Sequence, residues 1–440
     1  MKEQLLLGVS RANITPEVGG HLYGYSPNVI SKSVHDKLTA TAFYFESGKT
    51  KVLILSVTLC TIKTELSNEI TTLIEERYNI PKQNCILHCT HTHSAPNLTG
   101  AVGWGDVDKK YYNEIFLPNL VQAIGEAIKS PVAVKMGVAS GDSFIGINRR
   151  ELCLDNQIIL GQNPWGPFDP KMTVISFANL DGKVIANIIH YGMHGTCAGI
   201  NTEISRDWSG VMIDIVEKIT GATTAFFNGA EGDVGPRLTN GRTTGKSDKV
   251  TGDITYAEQH GAVAGNDAMK IYNNITSYQS VELSILAGEV KVPLKGRITY
   301  DLAKAGYEQY KDFVVNIKAT LAHYYKTQME LYENGYVDKE FRTVPQTIVR
   351  IGDVAFVSFP YELFSEIAMR IAREKKIPHT LSLSNTNGSE GYFVTEDQIC
   401  RGGYEVGMFQ TAYIQPYADN ADWHLVNETL KNLDKLNKGE

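Results

Sequence analysis

No window of this 440-residue chain approaches the run of about 18 apolar residues that a membrane-spanning helix needs. A membrane span is therefore not expected. The N-terminus, MKEQLLLGVSRANITP, offers only three leucines before Gly8, too short for the apolar core of a secretory signal. The expected location is cytoplasmic, or secreted if a leader has been trimmed away. Cysteine is scarce: Cys60, Cys85, Cys89, Cys153, Cys197 and Cys400 are scattered, mostly in apolar surroundings, and read as reduced core thiols rather than a disulfide framework. Cys85 and Cys89 lie near three histidines, but no second cysteine pair completes a thiolate zinc site. Internal repeats, low-complexity tracts and Pro/Gly/Ser-rich linkers are all lacking, so residues 1–440 are expected to form one large domain. The net charge of -7 gives no reason to expect nucleic acid or an anionic membrane surface as partner.

What is present is an alternation of apolar runs with helical patterns. Leu38–Phe45 and Lys51–Cys60 read as a hairpin, as do Met172–Ala178 and Lys183–Tyr191 around an Asp-Gly turn. Thr347–Ile351 and Val354–Ser358 form a third across Gly352-Asp353. Cys85–Cys89, Val132–Ala139, Ala222–Phe227, Val281–Val292 and Leu381–Ser384 read as further strands. Helical spacing marks Thr64–Tyr78, Tyr111–Lys129, Asp207–Thr220, Tyr256–Ile275, Pro360 to about Lys375 and about Asn420 to Leu436. Tyr300 to about Glu333 is long, charged and helical, an excursion over residues 300–335 that suits a lid or a dimer surface. Residues Arg237 to Asp253 read as a polar surface loop, and the stretch holding Asn148-Arg149-Arg150 as a polar connection. Hairpins among the strand–helix alternations favour an α/β fold with a mixed β-sheet core flanked by helices.

Five polar stretches follow apolar strands, where open α/β sheets place their sites. They are HTHSAP from His91, the run His190 to Thr196, NGAEGDVGP from Asn228, Pro360-Tyr361-Glu362, and Gly391 to Thr395. Imidazole is both the commonest zinc ligand and a proton carrier near neutral pH. Strand alternation would put His91 and His93 on one face, one to bind a metal and one to face a substrate. Each residue also has a plainer reading. His190 competes with His194, which heads the HGT stretch. Glu362 would suit a helix N-terminus, Tyr392 an ordinary packed tyrosine, and Asp207 a helix cap. Arg149 is a substrate anchor or a salt-bridge partner. Glu231 and Asp233 could orient a ligand imidazole, Ser94 could act as a nucleophile beside His93, and His21 and Tyr25 could line a pocket.

In that order, HTHSAP, HGT, NGAEGDVGP, PYE and GYFVT resemble the catalytic domain of the neutral/alkaline, non-lysosomal ceramidases. GVSRANITP and VHDKLTATAF are similar to that family's opening. The resemblance runs from about residue 6 to about 415. It implies one zinc ion (Zn2+) held by His91, His194, Glu362 and Tyr392, with His93 near the scissile carbonyl. Tyr404, twelve places beyond Tyr392, and Arg149 complete the implied catalytic set. Two departures stand out. The family's GDVSP serine, a proposed nucleophile, is Gly235 here, and the family's C-terminal β-sandwich domain is not expected within this chain.

The function expected from this is zinc-dependent hydrolysis of an N-acyl amide, or a related ester, through zinc-activated water. The expected partner is a small, water-borne amide or ester rather than a sphingolipid held in a membrane, and nothing in the sequence speaks against a homo-oligomer. The alternatives are a zinc enzyme acting on a lactone, phosphoester or glycoside, and a binding protein that has lost its catalysis with the serine.

Overall fold

The computed structural model describes residues 4–238 and 252–439. The loop expected from Arg237 to Asp253 falls outside the described residues except at its ends. The expected mixed α/β fold is what is found. Its larger sheet has eight strands, in spatial order Thr223–Asn228, Val184–Tyr191, Lys171–Asn179, Val132–Asp142, Leu6–Asn13, Thr39–Ser47, Thr50–Val57 and Cys85–Cys89. The two outermost pairs are parallel and the inner ones antiparallel. A second sheet orders Leu283–Pro293, Phe341–Ile351, Val354–Ser358 and His379–Leu383.

Both faces of the large sheet are apolar, and the period of two assigns them to different neighbours. Phe43, Phe45, Ile54, Phe177, Ile188 and Phe227 meet Val349, Phe356, Leu381 and Leu383 of the second sheet. The alternate residues Ala42, Tyr44, Leu53 and Leu55 face the helix Leu117–Lys129 and Ile70 and Ile74 of Thr64–Tyr78. Val174, Ile189 and Phe226 face Asp207–Thr220 and Thr255–Tyr272. Helices Ser365–Arg373 and Ala421–Lys438 cover the far side of the second sheet. Layers therefore run helix, sheet, sheet, helix.

The large sheet curls until its two edges touch. Ser56 Oγ donates to the carbonyl of Phe226 at 2.7 Å, and His88 Nε2 accepts the Asn228 amide at 2.8 Å. The chain ends of Cys85–Cys89, Val184–Tyr191 and Thr223–Asn228 thereby come to one place.

Four expectations need correction. Tyr111–Lys129 is interrupted by a π-turn over Tyr112–Phe116, just before Pro118, whose missing N–H breaks the regular ladder. Tyr300–Glu333 is two helices, Tyr300–Tyr310 and Asn316–Glu333, parted at Phe313-Val314-Val315. The connection holding Arg149 is a strand, Gly146–Leu152, in a small sheet with Val234–Pro236 and Ile158–Asn163. The helix expected from Pro360 starts only at Ser365, because Glu362–Leu363 pairs as a short parallel strand with Tyr392–Phe393.

Candidate metal centre

Beyond Cys89 the chain leaves the sheet, with Thr90 and His91 amides still donating to Val57 and Leu59 carbonyls. His91 turns at φ +65°, so strand alternation is not what aligns it with His93. A cross-chain stitch does so instead. Thr92 bridges Gly195, and the His93 amide donates to the Gly195 carbonyl at 3.1 Å. The next loop is held by Asp207, whose carboxylate accepts the amides of Cys197 and Ala198 at 3.0 and 2.9 Å. Asp207 is thus a clamp on the segment after His194 rather than the helix cap expected, and it adopts φ +56° to reach that segment. On the opposite wall, the strand pair that corrects the Pro360 helix sets Glu362 directly beside Tyr392.

Four side chains from four separate segments converge here. Glu362 Oε2 lies 3.4 Å from His91 Nε2 and 3.1 Å from His194 Nε2, and among the described residues no other group donates to it. Tyr392 Oη is 3.5 Å from His194 Nε2. The far nitrogens fix the tautomers. His194 Nδ1 faces the Glu231 carbonyl at 2.7 Å and His91 Nδ1 faces the Cys60 carbonyl at 3.1 Å, so both must donate there. With both rings neutral, two imidazole lone pairs would point at one carboxylate oxygen, so the cluster calls for a cation: a metal ion or, without one, a proton on His91, which burial lowers but Cys60 and Glu362 raise well above the ordinary imidazole range. Burial and the Arg149 guanidinium drive His194 down to about 3. Burial pushes Glu362 up, but His91 and His194 more than reverse this and hold it well below the carboxylate range. Two nitrogens, a carboxylate and a phenol oxygen make a donor set that fits zinc.

A cleft with two limbs, each of about 300 Å³, opens onto this point. His93, Trp104, Tyr392, Tyr404 and Gly24 line both limbs. His93 Nε2 is 3.2 Å from His91 Nε2. Gly24, at φ +122°, lies so close to the His93 ring that a side chain there would overlap it. Arg149 and Gly235 line the first limb; Glu362, Glu390 and His323 line the second. Arg149 Nη2 donates to Tyr392 Oη at 2.9 Å, and the Tyr404 ring stands 5.7 Å from that of Tyr392.

The other candidates sort themselves by contact. Tyr25 lines the first limb, whereas His21 lines neither. His190 Nε2 meets the Ser382 carbonyl at 3.0 Å, and Ser94 Oγ accepts from Asn201. Asp233 accepts the amide of Ser365 and a proton from Asn148 Nδ2. Among the described residues, Cys85 and Cys89 join no metal-sized cluster, but Cys60 does, with its sulfur 3.6 Å from His91 Nδ1. Sequence reasoning missed Cys60, Asn385, whose amide nitrogen is 2.6 Å from Glu231 Oε1 and 3.2 Å from His91 Nδ1, and Glu405, which binds Arg149. None carries a local motif. Only the apolar run before Cys60 hinted that it ends a strand near the site.

The family model described as neutral/alkaline non-lysosomal ceramidase, N-terminal, matches residues 5–328. That span includes His91, His93, Arg149 and His194, while Glu362, Tyr392 and Tyr404 lie beyond it. Among solved structures, neutral ceramidase from Pseudomonas aeruginosa superposes with a TM-score of 0.75 at 18% identity, covering 99% of this chain and 75% of that one. A ceramidase complexed with C2 gives 0.74 at 18% identity, covering 99% of this chain and 76% of the other. No curated protein matches the chain.

Proposed function

The chain belongs to the neutral/alkaline non-lysosomal ceramidase family and is a ceramidase-like hydrolase; from that premise we propose that it uses zinc to cleave the amide, or a related ester, of a compact water-borne substrate. The observation that carries the reading is the meeting of His91 Nε2, His194 Nε2 and Glu362 Oε2 at the junction of the two limbs. His91, His194, Glu362 and Tyr392 would hold the ion. Zinc bound by such a set polarises a carbonyl and lowers the pKa of its water to about 7.

The chain's own groups supply the rest. His93 stands over the junction, where Nε2 can take a proton from the attacking water and return it to the leaving nitrogen. Burial keeps the Tyr404 phenol raised and protonated, a donor for the developing oxyanion. Arg149 spends Nε and Nη2 on Glu405 and Tyr392, which leaves Nη1 for a substrate oxygen. The Cys60 and Glu231 carbonyls steady the His91 and His194 rings from behind. The two limbs, each of about 300 Å³, can take the acyl and amine halves of an amide, one limb apiece. Gly235 has no side chain with which to attack, so water is the nucleophile.

Zinc-loaded protein assayed against short N-acyl amides, lactones and phosphoesters tests the bond class. Amide turnover that disappears in His93→Ala supports the reading. Turnover of only the lactones or only the phosphoesters replaces it with that bond class.

A further inference from the structure

We propose that Glu405 is a positioning residue of this cleft, holding Arg149 in register with Tyr392 so that one guanidinium nitrogen is left for the bound substrate. The proposal rests on the hydrolytic reading of the cleft, and its geometry lies one layer behind the residues already assigned.

Arg149 and Arg150 are neighbours on one strand, and in a regular strand their side chains would leave opposite faces. Here the register against Ile158–Asn163 slips by one residue between Asn148 and Arg150, leaving Gly161 and Gln162 opposite the single Arg149. Such a bulge adds local twist and re-aims side chains. Both arginines end on one buried carboxylate, with Arg149 Nε on Glu405 Oε1 at 2.9 Å and Arg150 Nη1 on Oε2 at 2.6 Å.

The two arginines are not equivalent. Arg150 is itself pinned: Nη2 donates to the Gly402 carbonyl at 2.6 Å, Nε to Gln398 Oε1 at 3.1 Å, and the guanidinium lies over the Phe364 ring. It lines neither limb. Arg149 lines the first limb and ends on the Tyr392 hydroxyl. Contacts therefore run outward in one direction, from the fixed Arg150 through Glu405 to Arg149 and then to Tyr392. Glu405 also follows Tyr404 in the first turn of Tyr404–Thr411, which begins at Gly403 with φ +95°. A side chain at Gly403 would crowd Arg150 Nη1 at 3.1 Å, so the helix start is fitted to the same clamp.

A counter-charge role for Glu405 predicts something different from a positioning role, and the two can be separated. The double variant Glu405→Gln with Arg150→Met removes one buried charge of each sign. If Glu405 only neutralises Arg150, this variant should match the parent throughout. We expect instead a melting temperature near the parent's, while the Arg149 Nε–Hε resonance, assigned in arginine-labelled protein with Arg149→Lys, moves into the solvent-exposed cluster. With a short-chain N-acyl aminocoumarin amide as probe, kcat/KM should fall about ten- to a hundred-fold, the usual loss for residues behind a metal site. Glu405→Asp keeps every charge and only shortens the reach, so it serves if the double variant does not fold, with the same two expectations. An Arg149 resonance and a probe rate both unchanged in whichever variant folds would overturn the proposal. A parent with no amide turnover but an ordered Arg149 resonance would count against the hydrolytic reading. The loss or persistence of that resonance in the variants would then decide the role of Glu405 by itself.

Discussion

Replacing Gly195 by alanine should uncouple the two histidine segments without replacing a candidate ligand. The added methyl would stand 2.5 Å from the His91 carbonyl oxygen and 2.9 Å from Thr92 Cα. Both are backbone atoms, so no rotamer change relieves the overlap. Ordinary contact begins at 3.4 Å, and the difference from 2.5 Å requires the segments to part by about 0.9 Å. Functional constellations must be held within about 0.5 Å, so His91 and His194 would no longer share the Glu362 oxygen. Overpacking of this kind costs about 1–3 kcal/mol, and a disturbed support shell lowers metal affinity about ten- to a hundred-fold. Urea midpoints give the first quantity and chelator competition for zinc the second. Gly20→Ala is the control, since its methyl would meet only Asp108 Oδ2 at 3.6 Å. A Gly195→Ala protein with parental zinc affinity would refute the argument that the Thr92–Gly195 stitch sets the site.

Other perturbations follow the same logic. His88 is fully buried, accepts the Asn228 amide, and is driven to about 3 by burial and then by His190. Its neutral form is the folded one, so its contribution is intact above about pH 6.5 and lost as the pH falls toward 3. At about pH 5 this amounts to about 2 kcal/mol. His88→Gln can keep the acceptor without titrating, so its stability relative to the parent should improve by that amount between about pH 7.5 and 5 in urea melts. An unchanged difference would show that His88 does not titrate this way. Gly235→Ser brings Cβ to 3.3 Å from Arg149 Cβ, a tight but tolerable contact. It should fold, narrow the first limb and leave amide turnover no faster. A rise of about ten-fold or more would instead reveal a missing nucleophile.

The parts of this site that were legible in the sequence are those announced by local chemistry. Histidines grouped after an apolar run, and Glu362 four residues after the end of another, mark strand ends that carry polar side chains. Periodicity also separated most strands from helices, because alternation and helical spacing are local. What stayed hidden depends on pairing across the chain. Nothing near Glu362 says that it will pair with Tyr392, so its segment read as the start of a helix. Nothing near Arg149 announces a strand with a slipped register, nor that Glu405 will receive two arginines. His91 and His93 were grouped for an alternation that the φ of +65° at His91 rules out; the bridge to Gly195 aligns them instead. Pro118 did carry a local signal, since a proline inside a helical pattern removes a ladder donor.

The central claim is a single zinc held by His91, His194, Glu362 and Tyr392. Elemental analysis of protein purified without chelator or nickel affinity, beside His194→Ala and Glu362→Ala, tests it most directly. The account predicts about one zinc per chain in the parent and almost none in either variant. A parent free of zinc, or variants that keep it, would contradict the account.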